Sequence, residues 1–181
     1  MPKLSESIPG YSDNDYPWDK IIDQLPTTGT LLEFGTACGL SAVTFAEKFK
    51  ETNRDYNIHT VDHGLSTLNI HGKNYNSEQQ AEYINQIVKV WDNITFTKCD
   101  FFTRHFETPT VFFLDAAHNF ADTYKALRIM QDSKIILVDD YTSKFPGTTD
   151  AVDKFAKKFN KELIVFETSS PDSHIACAML T

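Results

Sequence analysis

Two groups of residues in this chain have the types and spacing to do chemistry. The first is the run Leu31-Leu32-Glu33-Phe34-Gly35-Thr36-Ala37-Cys38-Gly39-Leu40-Ser41, in which apolar residues end at an acid, a glycine turn follows and an amphipathic segment begins. Glycine lets the backbone turn sharply and approach a ligand closely, while amides at a helix start can face a carboxylate or phosphate. The run reads as a strand, a ligand-cradling turn and a helix N-terminus. A dinucleotide fingerprint needs glycine where this chain has Ala37 and Leu40, so NAD fits poorly. Asp62 lies a little over the ~20-residue interval at which a carboxylate commonly takes a ribose hydroxyl pair.

The second group is Asp115-Ala116-Ala117-His118 together with Val138-Asp139-Asp140-Tyr141. On neighbouring strand ends, Asp115, Asp139 and Asp140 form a hard oxygen set suited to Mg2+ or Ca2+. His118 titrates near neutrality and is the candidate general base. Each residue has a plainer reading when taken singly: Asp62 and Asp100 as strand-end turn residues, His118 as a hydrogen-bonding group at a helix start, Asp139-Asp140 as a strand terminus. Their common place favours the chemical reading, because ligands of open α/β sheets sit beyond the carboxyl ends of the strands.

The elements that must position these groups alternate. Apolar runs bounded by turn residues predict strands near 30–34, 58–62, 94–98, 110–115, 134–139, 162–167 and 174–180, with helices over about 15–24, 41–50, 78–91, 119–131 and 149–159. Ser77 and Gln80 have capping-box spacing at the start of the third helix, and Ile84, Ile87, Val88 and Trp91 form its apolar stripe. Asn119 is the candidate cap of the fourth. Residues 99–109 hold no convincing helix, and 63–77 is long enough for a lid. The short, turn-rich stretch from Thr168 to Ser173 makes the last two strands a hairpin, hence one antiparallel strand in an otherwise parallel α/β sheet.

Composition narrows the class. At 181 residues, 41% of them hydrophobic and 14 of them Phe, the chain can bury one sizeable core, and we read 1–181 as a single domain with an N-terminal extension and helix over 1–28. A formal net charge of -8 disfavours nucleic acid as a partner. No run approaches membrane-spanning length, and Cys38, Cys99 and Cys177 read as reduced buried thiols, so a soluble cytoplasmic protein is expected. Phe-rich surfaces leave a homodimer open.

The arrangement E-x-G-x-x-x-G-x-S at Glu33, Gly35, Gly39 and Ser41 resembles motif I of class I S-adenosylmethionine-dependent methyltransferases, most closely the catechol O-methyltransferase-like group. Asp115-x-x-His118 and Asp139-Asp140 resemble the macrolide-sugar O-methyltransferases more closely than the catechol pattern, which has a lysine base and an Asp-Asn pair. The D-D-Y…P-G segment at Asp139, Asp140, Tyr141, Pro146 and Gly147 also matches, with Thr148 in place of the usual Val. The resemblance implies a Rossmann-like sheet of seven strands in the order 3-2-1-4-5-7-6. It also implies S-adenosylmethionine as cofactor, with Glu33 at its methionine end and Gly35, Thr36, Ala37, Gly39, Ser41 and Asp115 around it. Asp62 would bind the ribose, His63 would cover the adenine edge, and Asp100 with Phe101 would hold the adenine. Mg2+ at Asp115, Asp139 and Asp140, His118 as base and a small-molecule hydroxyl acceptor, catechol-like or a sugar diol, complete the expectation. The alternatives are an amino-group methyltransferase acting on a macromolecule, disfavoured because Asp115-Ala-Ala-His118 replaces the Asn/Asp-Pro-Pro turn, and a non-catalytic cofactor-binding module.

Overall fold

A computed structural model describes residues 3–10, 16–63, 67–116, 118–167 and 176–181. After a 3-10 turn (Leu4–Ser7) come α1 (Trp18–Gln24), β1 (Thr28–Phe34), α2 (Leu40–Glu51), β2 (Asp55–Asp62), β3 (Leu68–Ile70), β4 (Lys73–Tyr75), α3 (Ser77–Val90) and β5 (Ile94–Lys98). The chain continues through β6 (Val111–Leu114), α4 (Phe120–Ile129), β7 (Ile135–Val138), α5 (Pro146–Phe159), β8 (Leu163–Glu167) and β9 (Ala176–Leu180). The main sheet has the order β5-β2-β1-β6-β7-β9-β8, and β9 alone runs antiparallel to its neighbours. This is the Rossmann-like topology and strand order that the resemblance implied, with the antiparallel strand that the short terminal connection required.

The central strands are apolar throughout because both faces of the sheet are covered. Val111-Phe-Phe-Leu114 and Ile135-Ile-Leu-Val138 are buried at every position. Successive side chains point to opposite faces. Leu31 and Phe113 join α2's Phe45 and Phe49 in one core, while Leu32, Phe34 and Phe112 join α4's Leu127 and α5's Phe155 in the other. Each such large side chain contributes ~1.5–3 kcal/mol by leaving water. Parallel register sets Leu31 beside Ile58 and Val111, which aligns the carboxyl ends of β1, β2 and β6 on one rim. Among the described residues, no helix is long and apolar enough to cross a membrane.

Several boundaries differ from the sequence reading. The capping box lies one residue earlier than Ser77 and Gln80: the Asn76 side chain accepts from the Gln79 amide at 2.9 Å, and the Gln79 side chain accepts from the Asn76 amide at 3.0 Å. Ser77 is already helical, and Gln80 is buried and donates to the Tyr75 carbonyl. The last helix starts at Pro146 rather than 149, because proline suits a first helical turn that needs no N–H. Within 63–77, residues 68–75 form the β3–β4 hairpin around His71 (φ 49°) and Gly72 (φ 79°). Residues 64–66, the expected start of the first helix at 15, Ala117, and the expected hairpin turn with the start of the last strand at 174 lie outside the described residues.

Candidate functional site

The glycine turn is bent by three left-handed residues, Gly35 (φ 104°), Ala37 (φ 46°) and Gly39 (φ 85°). A β-carbon at Gly35 would run into the Asp115 carbonyl, so the turn lies directly against the end of β6. One at Gly39 would sit 2.5 Å from Ile87 Cδ1. Two of the turn's amides are taken by a carboxylate of the chain itself: Thr36 N and Ala37 N donate to Asp62 Oδ2 at 3.1 and 3.3 Å. Asp62 thereby ties the end of β2 to the turn.

Glu33 lies beneath the turn rather than over the cavity. It is fully buried, and its carboxylate accepts from the Ser41 hydroxyl and, at 2.5 Å, from Thr60 Oγ1, linking β1 to the start of α2 and to β2. Burial pushes its pKa up to about 7; the Ser41 and Thr60 hydrogen bonds oppose the rise, and the charges of Asp62 and Asp139 add to it.

A cavity of about 540 Å³ opens beside the turn, a volume suited to a small molecule. Thr36, Ala37 and Ser41 line one wall, Leu68 and Ile70 of the hairpin another, and Asp115, His118, Asp139 and Asp140 its acidic side. His118 Nε2 is 2.8 Å from Asp140 Oδ2, and its ring stacks on Phe145 with centroids 4.6 Å apart. The Asp140 hydrogen bond raises the His118 pKa above its usual value, against an opposing effect of burial. Asp140 adopts φ 56°, a left-handed conformation that, glycine apart, asparagine and aspartate adopt more readily than most residues.

Burial and the crowding of carboxylates together set the electrostatics here. Asp115 is pushed well above the usual carboxylate range by burial and then by the charges of Asp139, Glu33 and Asp140. Asp139 is raised to about 6 by burial and by Asp140. Asp115, His118 and Asp140 each offer a ligand atom within 4.8 Å of the others. Two mutually repelling carboxylates beside an imidazole fit a divalent cation, which would relieve that repulsion. Of the three acids the sequence assigned to a metal, the structure groups Asp115 and Asp140 with His118 and ties Asp139 to Tyr16, whose hydroxyl donates to Asp139 Oδ1 at 2.8 Å.

The remaining predicted residues gather outside this cavity. His63 is exposed, with Nδ1 3.7 Å from Asp62 Oδ1 and its ring edge-on to Phe101. Phe101 is buried and stacks on Phe34 at 4.5 Å, so one ring face belongs to the core. The Asp100 carboxylate accepts from the Phe102 amide at 2.8 Å in a local turn. Tyr16 was not foreseen, since nothing in a sequence separation of 123 residues signals the contact. Phe145 reaches the cavity, while the Tyr141 hydroxyl donates to Asp153 Oδ1 at 2.7 Å.

Residues 32–141, from β1 to just past Asp140, match the family described as methyltransferase domain. No curated protein matches the sequence significantly. Among solved structures, the O-methyltransferase NovP aligns with a TM-score of 0.60 at 17% identity, covering 88% of this chain and 74% of that one. The SAH-bound Podospora anserina methyltransferase PaMTH1 gives 0.53 at 16%, covering 83% and 70%. The CMeT domain of the citrinin polyketide synthase gives 0.60 at 12%, covering 90% of this chain but only 49% of that one. At these identities the likeness is one of fold.

Proposed function

The chain belongs to the methyltransferase-domain family and has the class I S-adenosylmethionine-dependent fold, and from that premise we propose that it methylates a hydroxyl of a small molecule, catechol-like or a sugar diol, with Mg2+ assistance. The observation that carries this reading is His118 beside Asp115 and Asp140 on a cavity whose neighbouring wall is the glycine turn. S-adenosylmethionine supplies an electrophilic methyl next to a positive sulfonium. The turn's left-handed residues, its Asp62-bound amides and Ser41 form the cradle that would hold it, with Asp62, His63 and Phe101 on the adenosine side. Asp115 and Asp140 would hold a divalent cation, which would supply Lewis acidity toward an acceptor hydroxyl.

The chain's own residues then have separate tasks. Neutral His118, its Nε2–H donating to Asp140 Oδ2, takes the hydroxyl proton at the other ring nitrogen, Nδ1, and Asp140 holds the resulting imidazolium. Phe145 fixes the plane of the imidazole by stacking. Leu68 and Ile70 exclude water from the cavity, so positioning rather than covalent participation accounts for the rate.

The test is a methyl-transfer assay over catechol and sugar-diol acceptors with wild type and His118→Ala. Transfer to oxygen that falls ~10²–10⁴-fold in the variant supports the reading. Transfer only to nitrogen, or full activity without the imidazole, contradicts it.

A further inference from the structure

The segment preceding the family-matched residues reaches across α2 to the acidic rim. Lys3 Nζ meets Glu51 Oε1 at 2.6 Å, Ser5 donates twice to the Glu47 carboxylate, and Ile8 is buried. Gly10 packs so closely on Leu40 that an added β-carbon would lie 2.8 Å from Leu40 Cβ. Tyr16 packs tilted against Trp18 with centroids 4.5 Å apart, and Trp18 meets Phe45 of α2 edge-on. Pro9, Gly10, Tyr16 and Trp18 consequently wall the cavity from outside the span 32–141.

We propose that Tyr16 is a positioning residue for the acidic rim, its hydroxyl fixing the Asp139 carboxylate beside the cation-binding pair Asp115 and Asp140 at His118. This rests on the reading of that rim given above. Asp139 sits among like charges that would otherwise turn it away, and a hydrogen bond to the charged form holds it in place. A lysine or arginine in the same place would neutralise the rim. A phenol donates without adding charge, so the face stays anionic toward a cation. The buried ring, clamped by Trp18, gives that donor a single position.

The experiment is a double-mutant cycle of Tyr16→Phe and Asp139→Asn, read by Mn2+ affinity from electron paramagnetic resonance, with S-adenosylhomocysteine affinity and thermal midpoint as controls. Groups that orient ligands typically change metal affinity 10–100-fold, so Tyr16→Phe should weaken Mn2+ binding ~10-fold while product affinity stays within ~3-fold. On the Asp139→Asn background the same substitution should add less than ~2-fold, because its route to the rim is already cut. Unchanged Mn2+ affinity in Tyr16→Phe, losses that multiply in the double variant, or a wild type that binds no Mn2+ each overturns the inference. A wild type that binds Mn2+ and product yet methylates no hydroxyl sinks the proposed acceptor, while the cycle still decides the role of Tyr16.

Discussion

The two halves of the rim are built on opposite principles. Around β2 and β5, Asp62 is satisfied by two backbone amides, and Phe101 gives one face to the core. Around β6 and β7, Asp115, Asp139 and Asp140 crowd one side of a cavity, burial and neighbouring charge raise the proton affinity of Asp115 and Asp139, and Asp140 holds the His118 imidazole. The first half is a shape already settled by its own hydrogen bonds. The second stores unfavourable charge that a bound cation or an acceptor's proton can relieve. Binding and chemistry should therefore be separable by substitution.

The largest separation is expected from His118→Ala, with kcat down ~10²–10⁴-fold and S-adenosylhomocysteine affinity changed less than ~3-fold in titration calorimetry. Next, Asp62→Ala should release the turn amides and weaken product binding ~10-fold or more, with a smaller effect on kcat at saturating cofactor. A subtler consequence concerns pH. Because Asp140 raises the His118 pKa and the base must be neutral, the rising limb of kcat against pH should lie above the ordinary ~6.5, and Asp140→Asn should move it down. A limb that does not shift would remove Asp140 as the group holding the imidazolium.

The smallest effect tests the carboxylate beneath the turn. Folded Glu33 keeps its proton up to about 7 whereas the unfolded chain releases it near the ordinary 4.5, so the folded state binds more protons in that window. The stability this confers is present at low pH and is lost as pH rises through the folded pKa. Glu33→Gln should accordingly lessen the fall in Tm between pH 5 and pH 8 by roughly 2–4 °C, measured by calorimetry.

How much of this was readable from the sequence depended on range. Strands such as Val111–Leu114 announce themselves because a sheet covered on both faces needs unbroken apolar runs, and the acids that follow them had to fall on one rim. The capping box was displaced because Asn76-Ser77 and Gln79-Gln80 offer two overlapping frames, and only the folded turn selects one. The hairpin hidden in 63–77 had a local signal in His71-Gly72, two adjacent left-handed positions of the type a tight hairpin requires. Which of the adjacent acids Asp139 and Asp140 would turn toward His118 was not legible, because it depends on Tyr16, held by packing against Trp18 and α2.

The most direct measurement is titration calorimetry of S-adenosylhomocysteine into wild type, His118→Ala and Asp62→Ala. One-to-one binding that survives loss of the imidazole but drops ~10-fold or more without the Asp62 carboxylate is the predicted result. Equal loss in both variants would show that the two halves of the rim are a single site and contradict the division argued here.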